Sequence, residues 1–272
     1  MPFPFVTNPE SCRYVNSTMI TAASGLAALS LAACTLTTPT SGHLADDKRL
    51  LATCPKQPPA DLVAIDGTAS SKAKAITEER LAAVEQIARR ATVCSGRLRV
   101  LVFSSSSAAT ITLYDQPLRP HGATDNARLK RVPKLVETAM HRIGPGYSAA
   151  LTKLPGGGSD ITGQLRLAAD WQRQLGSGYR LEAYVFTDGL ENVERRVGGR
   201  GFTAAKAKQL AATTTVPKLP GASLTVAGLG RVAGKPPRSS VVEGLVAYYT
   251  ALCKKSGAAS CLAVTDYTQA GR

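Results

Sequence analysis

The feature that most constrains this chain is an alternation between two kinds of apolar segment. Short β-rich runs fall at residues 61–66 (DLVAID), 97–103 (RLRVLVF), 180–187 (RLEAYVFT), 222–228 (ASLTVAG) and 261–265 (CLAVT). Most lack the strict apolar–polar alternation of a half-exposed strand, which predicts strands covered on both faces. Residues 110–114 (TITLY) follow the second run after a short connection and read as an edge strand. Between the runs lie stretches with apolar residues at helical spacing. In ITEERLAAVEQIARRA, Ile76, Leu81, Val84, Ile87 and Ala91 form one stripe, and Glu85 stands four residues before Arg89, the spacing of a surface ion pair. Similar stripes occur in RLKRVPKLVETAMHRI, where Pro133 is expected to break or delay the helix, and in DITGQLRLAADWQRQL, TAAKAKQLAATT and SSVVEGLVAYYTALCKK. Strand and helix in regular turn predict an α/β fold, a doubly wound, mostly parallel sheet with helices on both faces.

The segment ahead of this pattern has a different character. Residues 19–33, MITAASGLAALSLAA, are uncharged and small-rich and lead directly to Cys34. Their length suits the core of a signal peptide and falls short of a membrane span. LAAC, Leu31 to Cys34, resembles a bacterial lipobox, which would make Cys34 the lipidated residue after cleavage. Arg13 ahead of it is offset by Glu10, so the usual positive excess is missing. The following TLTTPTSGHLADDKRLLATCPKQPPA is rich in Thr, Ser and Pro and reads as a tether with little secondary structure. The expected organisation is a signal peptide over 1–33, a lipidated cysteine and tether over 34–59, and one α/β domain over 60–272. The protein would be extracytoplasmic, anchored to the cell membrane by lipid.

Cysteine usage agrees with export. Beyond Cys12 and Cys34 there remain Cys54, Cys94, Cys253 and Cys261, an even number. Cys54 precedes the first strand and Cys94 follows the first long helix. In a parallel layer those two ends lie on the same side, opposite the carboxyl ends of the strands. Cys253 and Cys261 bracket a helix-to-strand return. The expected disulfides are therefore Cys54–Cys94 and Cys253–Cys261. The formal net charge of +14 favours anionic partners. Aromatic residues make up only 5% and no Lys/Arg cluster interleaves with them, so nucleic acid is not the expected partner. His43, His121 and His141 stand far apart, with no zinc-site spacing.

Ligand sites in such sheets lie beyond the carboxyl ends of the strands. Three places there offer small oxygen ligands: Asp66-Gly67-Thr68-Ala69-Ser70 after the first run, Ser159 and Asp160 in LPGGGSDITG, and Asp188-Gly189 in TDGLEN. Several chemistries compete for them. AIDGT resembles the haloacid-dehalogenase phosphatases, but their nucleophilic aspartate would stand where this chain has Ala64. VAGLGRVAG fits G-x-G-x-x-A at Gly228, Gly230 and Ala233, yet Pro236 and Pro237 follow where a phosphate-binding helix should begin. No G-x-S-x-G occurs and no histidine sits in a motif to serve as base. Asp66, Thr68 and Ser70 alone fit a helix cap, and TDG alone an ordinary turn. Taken together, the three places fit a hard divalent ion. Oxygens at i, i+2 and i+4 leaving a strand can point to one side, and Mg²⁺ keeps waters where the protein supplies few ligands.

DGTAS, then GGGSDI, then FTDGLEN, each at a strand or loop end, resemble the von Willebrand factor type A domain and its metal-ion-dependent adhesion site. RLRVLVFSSSSAATITL is similar to that family's second and third strands, and the likeness spans about residues 60–265. The resemblance implies a Rossmann-like fold whose ligands to Mg²⁺ (or Mn²⁺ or Ca²⁺) are Asp66, Thr68, Ser70, Ser159 and Asp188. Thr68 stands where that family usually has Ser, and Ser159 where it usually has Thr; both keep the hydroxyl. The implied work is binding, not catalysis: a protein partner's acidic side chain would complete the ion's shell. A metal-independent structural subunit of an envelope complex is the alternative, followed by a metal-assisted hydrolase, which lacks a candidate general base near the rim.

Overall fold

In chain order the computed structural model contains α1 (Thr40–Leu51), β1 (Pro59–Asp66), α2 (Lys74–Val93), β2 (Arg97–Phe103), β3 (Ile111–Pro117), α3 (Asp125–Leu129) and α4 (Val132–Lys153). It continues with α5 (Ile161–Leu175), β4 (Arg180–Phe186), α6 (Ala204–Thr213), β5 (Ser223–Ala227), α7 (Ser239–Ser256) and β6 (Ser260–Val264). The structure describes residues 40–106, 109–155, 157–193 and 195–271. The apolar stretch 19–33 and Cys34 lie outside the described residues.

The six strands form one sheet in the order β3-β2-β1-β4-β5-β6, parallel throughout except for β3, which pairs antiparallel at the edge. Central β1 is buried along its whole length, as the apolar run at 62–65 requires. Its side chains alternate between two cores. Leu62 and Ala64 meet Leu165 and Trp171 of α5 and Leu245 and Tyr249 of α7. Val63 and Ile65 meet Val84 and Ile87 of α2 and Ile143 and Tyr147 of α4. Helices thus cover both faces, giving the doubly wound, mostly parallel α/β fold expected from the strand–helix alternation.

Three local expectations change. The stretch read as an unstructured tether contains α1, whose Leu44, Leu50 and Leu51 pack against the core beneath α2. The Thr/Ser/Pro bias ends near residue 42, and Leu44, Asp47 and Leu51 then fall on one helical face. Asp47 is buried and accepts from Arg89 Nε at 2.7 Å, so Arg89 serves the α1–α2 contact instead of the expected pair with Glu85. Pro133 does mark a break, sitting in the first turn of α4 just after α3. The same helix then runs on through Gly144-Pro145-Gly146 to Lys153, because burial of Tyr147 and Ala150 outweighs the lost N–H at Pro145.

At the amino ends of the strands Cys54 is bonded to Cys94, and Cys253 is bonded to Cys261 across the α7–β6 return. These are the two expected pairs. Nearby, under α2, lies a buried carboxyl group that no sequence pattern announced. Asp61 is fully buried and faces Glu182 across the β1–β4 pairing; neither of its carboxylate oxygens has a partner at hydrogen-bond distance, and Arg90 Nη1 lies 3.9 Å from Oδ1. Glu182 instead takes the donors, from Arg90 of α2, from Arg180 at 2.6 Å and from the Tyr184 hydroxyl at 3.0 Å. Burial opposes ionisation of Glu182, but the Arg90 and Arg180 contacts outweigh it and lower its pKa. Burial, and then the Glu182 charge, push Asp61 well above the usual carboxylate range. The two neighbours are pushed in opposite directions, Glu182 down and Asp61 up.

Candidate functional site

Asp66 is the last residue of β1, at the carboxyl edge of the sheet and paired in register with Phe103 of β2. The chain then makes a short 3-10 turn over Ala69–Ser71 before α2 begins. That turn folds Thr68 back onto the strand end. The backbone N–H of Thr68 donates to Asp66 Oδ1 at 3.0 Å, and its hydroxyl donates to the same oxygen at 2.7 Å. Ser70 Oγ lies 3.4 Å from Thr68 Oγ1. The residues at i, i+2 and i+4 therefore do share one side of the turn.

The second loop arrives from α4. Ser159 Oγ donates to Asp66 Oδ2 at 2.9 Å and lies 3.3 Å from Thr68 Oγ1. The neighbouring Asp160 caps α5, accepting from the Gly163 N–H at 2.8 Å. The third loop follows β4, next to β1 in the sheet. Thr187 donates its hydroxyl to Asp66 Oδ2 at 2.8 Å, and Asp188 Oδ1 accepts from the Leu190 N–H at 2.8 Å. Asp188 Oδ2 is buried without a partner at hydrogen-bond distance, although Ser70 lies near enough to act on its titration. Burial, and then the charge on Asp66, push Asp188 up to about 6. Asp66, Thr68, Ser70, Ser159 and Asp188 are thus gathered at one edge of the sheet from three separate loops.

The donor set suits a small hard cation in two respects. Asp66 receives four hydrogen bonds, three of them from hydroxyls. Each hydroxyl spends its one proton on Asp66, which leaves the oxygen lone pairs of Thr68 and Ser159 free to face a cation. Asp188 adds a carboxylate oxygen with nothing bonded to it, buried beside a second carboxylate that repels it. A divalent ion would relieve both conditions, and the residues present fit one. Among the described residues no three His, Cys, Asp or Glu side chains gather as a metal centre. The candidate set has two carboxylates and three hydroxyls, a composition that leaves a bound ion short of negative charge.

Several participants were not named from the sequence. Asn192 Oδ1 accepts from the Ser159 N–H at 3.0 Å, which holds the serine in place despite its lack of a β-methyl. Glu191 accepts from both the N–H and the hydroxyl of Thr162 and so ties the TDGLEN loop to the start of α5. Beneath the cluster lies Arg80 of α2, fully buried. Its Nη1 donates to the Asp66 carbonyl at 2.7 Å and to the Tyr147 hydroxyl at 3.3 Å, and its Nε donates to the Tyr267 hydroxyl at 3.1 Å. Burial works against this charge, but Tyr267, Tyr147 and Asp66 outweigh it and hold the guanidinium protonated. Gly228, set aside above as part of a dinucleotide motif, has a different role. Its φ is +93°, and a Cβ there would lie 2.2 Å from the Tyr267 ring that reaches Arg80.

The sequence matches no protein-family model and no curated protein. Among solved structures it is similar to the conserved hypothetical protein BatB from Bacteroides thetaiotaomicron, at 15% identity over 78% of this chain and 93% of that one, with a TM-score of 0.44. It is similar to the pilus adhesin SpaC from Lactobacillus rhamnosus GG at 12% identity, over 80% of this chain but only 29% of SpaC, with a TM-score of 0.43. The vWF domain of the type V pili tip protein Mfa5 from Porphyromonas gingivalis is 14% identical over 60% of this chain and 57% of that one, with a TM-score of 0.33. Likenesses this partial carry no argument about function. What the chain itself shows is the fold, a doubly wound α/β sheet of order β3-β2-β1-β4-β5-β6, parallel but for one reversed edge strand.

Proposed function

We propose that this is an extracytoplasmic binding protein whose site holds a divalent cation and takes an acidic side chain from a protein partner. The observation that carries the reading is the meeting of Asp66, Thr68, Ser70, Ser159 and Asp188, with an unpartnered Asp188 oxygen among them. Mg²⁺ is the first choice of ion, with Mn²⁺ or Ca²⁺ as substitutes. With only two carboxylates nearby and Arg80 offsetting part of their charge, the bound ion stays electrophilic and attracts a further anionic oxygen. The reading assigns binding and not catalysis. His43 and His141 line a groove between α1, α2 and α4, and His121 lies near Cys54 and Cys94, so the histidines stand away from the cluster.

The two disulfides support an oxidising compartment. Among the described residues no helix is long and apolar enough to cross a membrane. Attachment through a lipid on Cys34 is the proposed anchor, readable by mass spectrometry of the protein extracted from membranes. One observation favours a second reading. Asp66 is already saturated by hydrogen bonds, so the loops hold together without an ion, as a metal-independent structural subunit would require. Thermal melting separates the two, because a ligand that binds only the native state raises its stability. With millimolar Mg²⁺ or Mn²⁺ the wild type should melt higher and Asp188→Ala should not respond. A wild-type melting point indifferent to both ions would overturn the metal reading.

A further inference from the structure

A second feature lies at the opposite pole of the sheet. The segment after α1, the α2–β2 corner and the β3–α3 loop enclose a cleft of about 630 Å³ at the amino ends of β1 and β2. That volume suits a small ligand. Three cationic side chains line it, Lys56, Arg119 and Arg128, and none of its lining residues is acidic. The net charge of +14 does not by itself explain this. The comparable groove between α1, α2 and α4, about 580 Å³, is lined by Asp47, Glu85 and Glu137 with Arg89 as its one Lys or Arg. Positive charge is concentrated locally in the first cleft.

Two of the three cations are also held in place. Arg119 stacks over the Tyr179 ring, its Cζ 5.8 Å from the centroid, and donates to the Tyr179 hydroxyl. That contact uses Nη2, so other N–H groups of the guanidinium remain available. Arg128 is braced by Asp125, an exposed partner that offsets only one of the three charges. Lys56 is exposed and pairs with no described residue. The floor is stiffened by the Cys54–Cys94 disulfide, so little ordering has to accompany binding.

We infer that this cleft is an anion site for a phosphate-bearing ligand carrying at least two negative charges, bound by Arg119, Arg128 and Lys56. A planar guanidinium matches two phosphate oxygens at once, and the ammonium of Lys56 would add a further contact. The same headgroup chemistry occurs free in solution and on anionic lipids. The cleft is remote from the proposed cation site, so either can exist without the other.

The test uses the folded protein with its disulfides intact, and inorganic triphosphate as the probe in titration calorimetry at low and moderate salt. Wild type should bind, more weakly as salt rises. Arg119→Gln and Lys56→Gln should each weaken binding by about tenfold, the equivalent of one charge-assisted hydrogen bond. The control is Arg196→Gln, which removes the same charge from an exposed residue in the loop after β4. It should leave binding within about twofold of wild type, roughly a third of the energy of such a bond or less. Equal losses in all three variants would mean a diffuse basic surface and would overturn the site, as would absence of triphosphate binding in wild type. A second arm uses vesicles of phosphatidylglycerol in phosphatidylcholine. Vesicle binding that triphosphate displaces assigns the phosphate to a lipid, and triphosphate binding without vesicle binding assigns it to a soluble ligand.

Discussion

Replacing Arg80 with methionine separates the charge beneath the candidate site from the volume it fills. The side chain is fully buried and donates to the Asp66 carbonyl and to the hydroxyls of Tyr147 and Tyr267. Methionine keeps most of the bulk but removes the positive charge next to two buried carboxylates and orphans several acceptors. Removing one partner of a buried charged cluster costs roughly 3–5 kcal/mol. For a domain of this size each kcal/mol shifts the melting point by about 2–4 °C, so the fall should be roughly 6–20 °C. Arg80→Lys keeps the charge and loses the planar fork, and should cost about 1–3 kcal/mol. Equilibrium unfolding in urea under non-reducing conditions reads both values, provided the slope of the transition stays constant. An Arg80→Met protein within about 1 kcal/mol of wild type would refute the reasoning, because that is the size of an ordinary neutral hydrogen bond. Equal losses for Met and Lys would show that fork geometry matters and charge does not.

Other outcomes follow from the same structure. Asp61 has a folded-state pKa raised well above its unfolded value, so its ionisation destabilises the fold as pH rises above the unfolded value. Asp61→Asn, set among Glu182, Tyr184, Arg180 and Arg90, should therefore be more stable than wild type at neutral pH by roughly 1–3 kcal/mol. The advantage should vanish below about pH 4, where both states of the wild-type group are protonated, and a pH-independent difference would contradict the assignment. Removing Cys54–Cys94, whose cysteines are 40 positions apart, should cost about 4 kcal/mol, and removing Cys253–Cys261, 8 apart, about 2.5 kcal/mol. A reversal of that order in paired Cys→Ser variants would count against it. Asp66→Ala and Asp188→Ala should abolish metal-dependent binding while circular dichroism still shows a folded α/β domain, whereas melting of either variant at room temperature would make these residues structural.

The fold and the centre of the site were legible for physical reasons that differ from one another. Strands buried on both faces must be apolar throughout, and helices packed on a sheet must carry a stripe, so both patterns are written locally. Asp66, Thr68 and Ser70 are close in sequence and leave a strand end, so their convergence needs only a turn. Ser159 and Asp188 lie far along the chain, and their assignment rests on the resemblance of GGGSDI and FTDGLEN to the family's motifs. Asn192 and Thr187 matter only because the third loop approaches the first two, which no local pattern encodes. Arg80 did leave a signal. It falls between Ile76 and Val84, four residues from each, and so interrupts the apolar stripe of α2 with a charge that must find partners inside. The course of α4 through Gly144-Pro145-Gly146 illustrates the opposite case, where tertiary burial overrides strong local breakers.

Crystals grown with Mn²⁺ and measured for its anomalous scattering would locate any bound ion directly. The expected result is one strong peak within coordination distance of Thr68 Oγ1, Ser70 Oγ and Ser159 Oγ, with Asp188 turned toward it. A map with no peak among these oxygens, at an ion concentration that saturates any shift in melting, would contradict the proposed cation site.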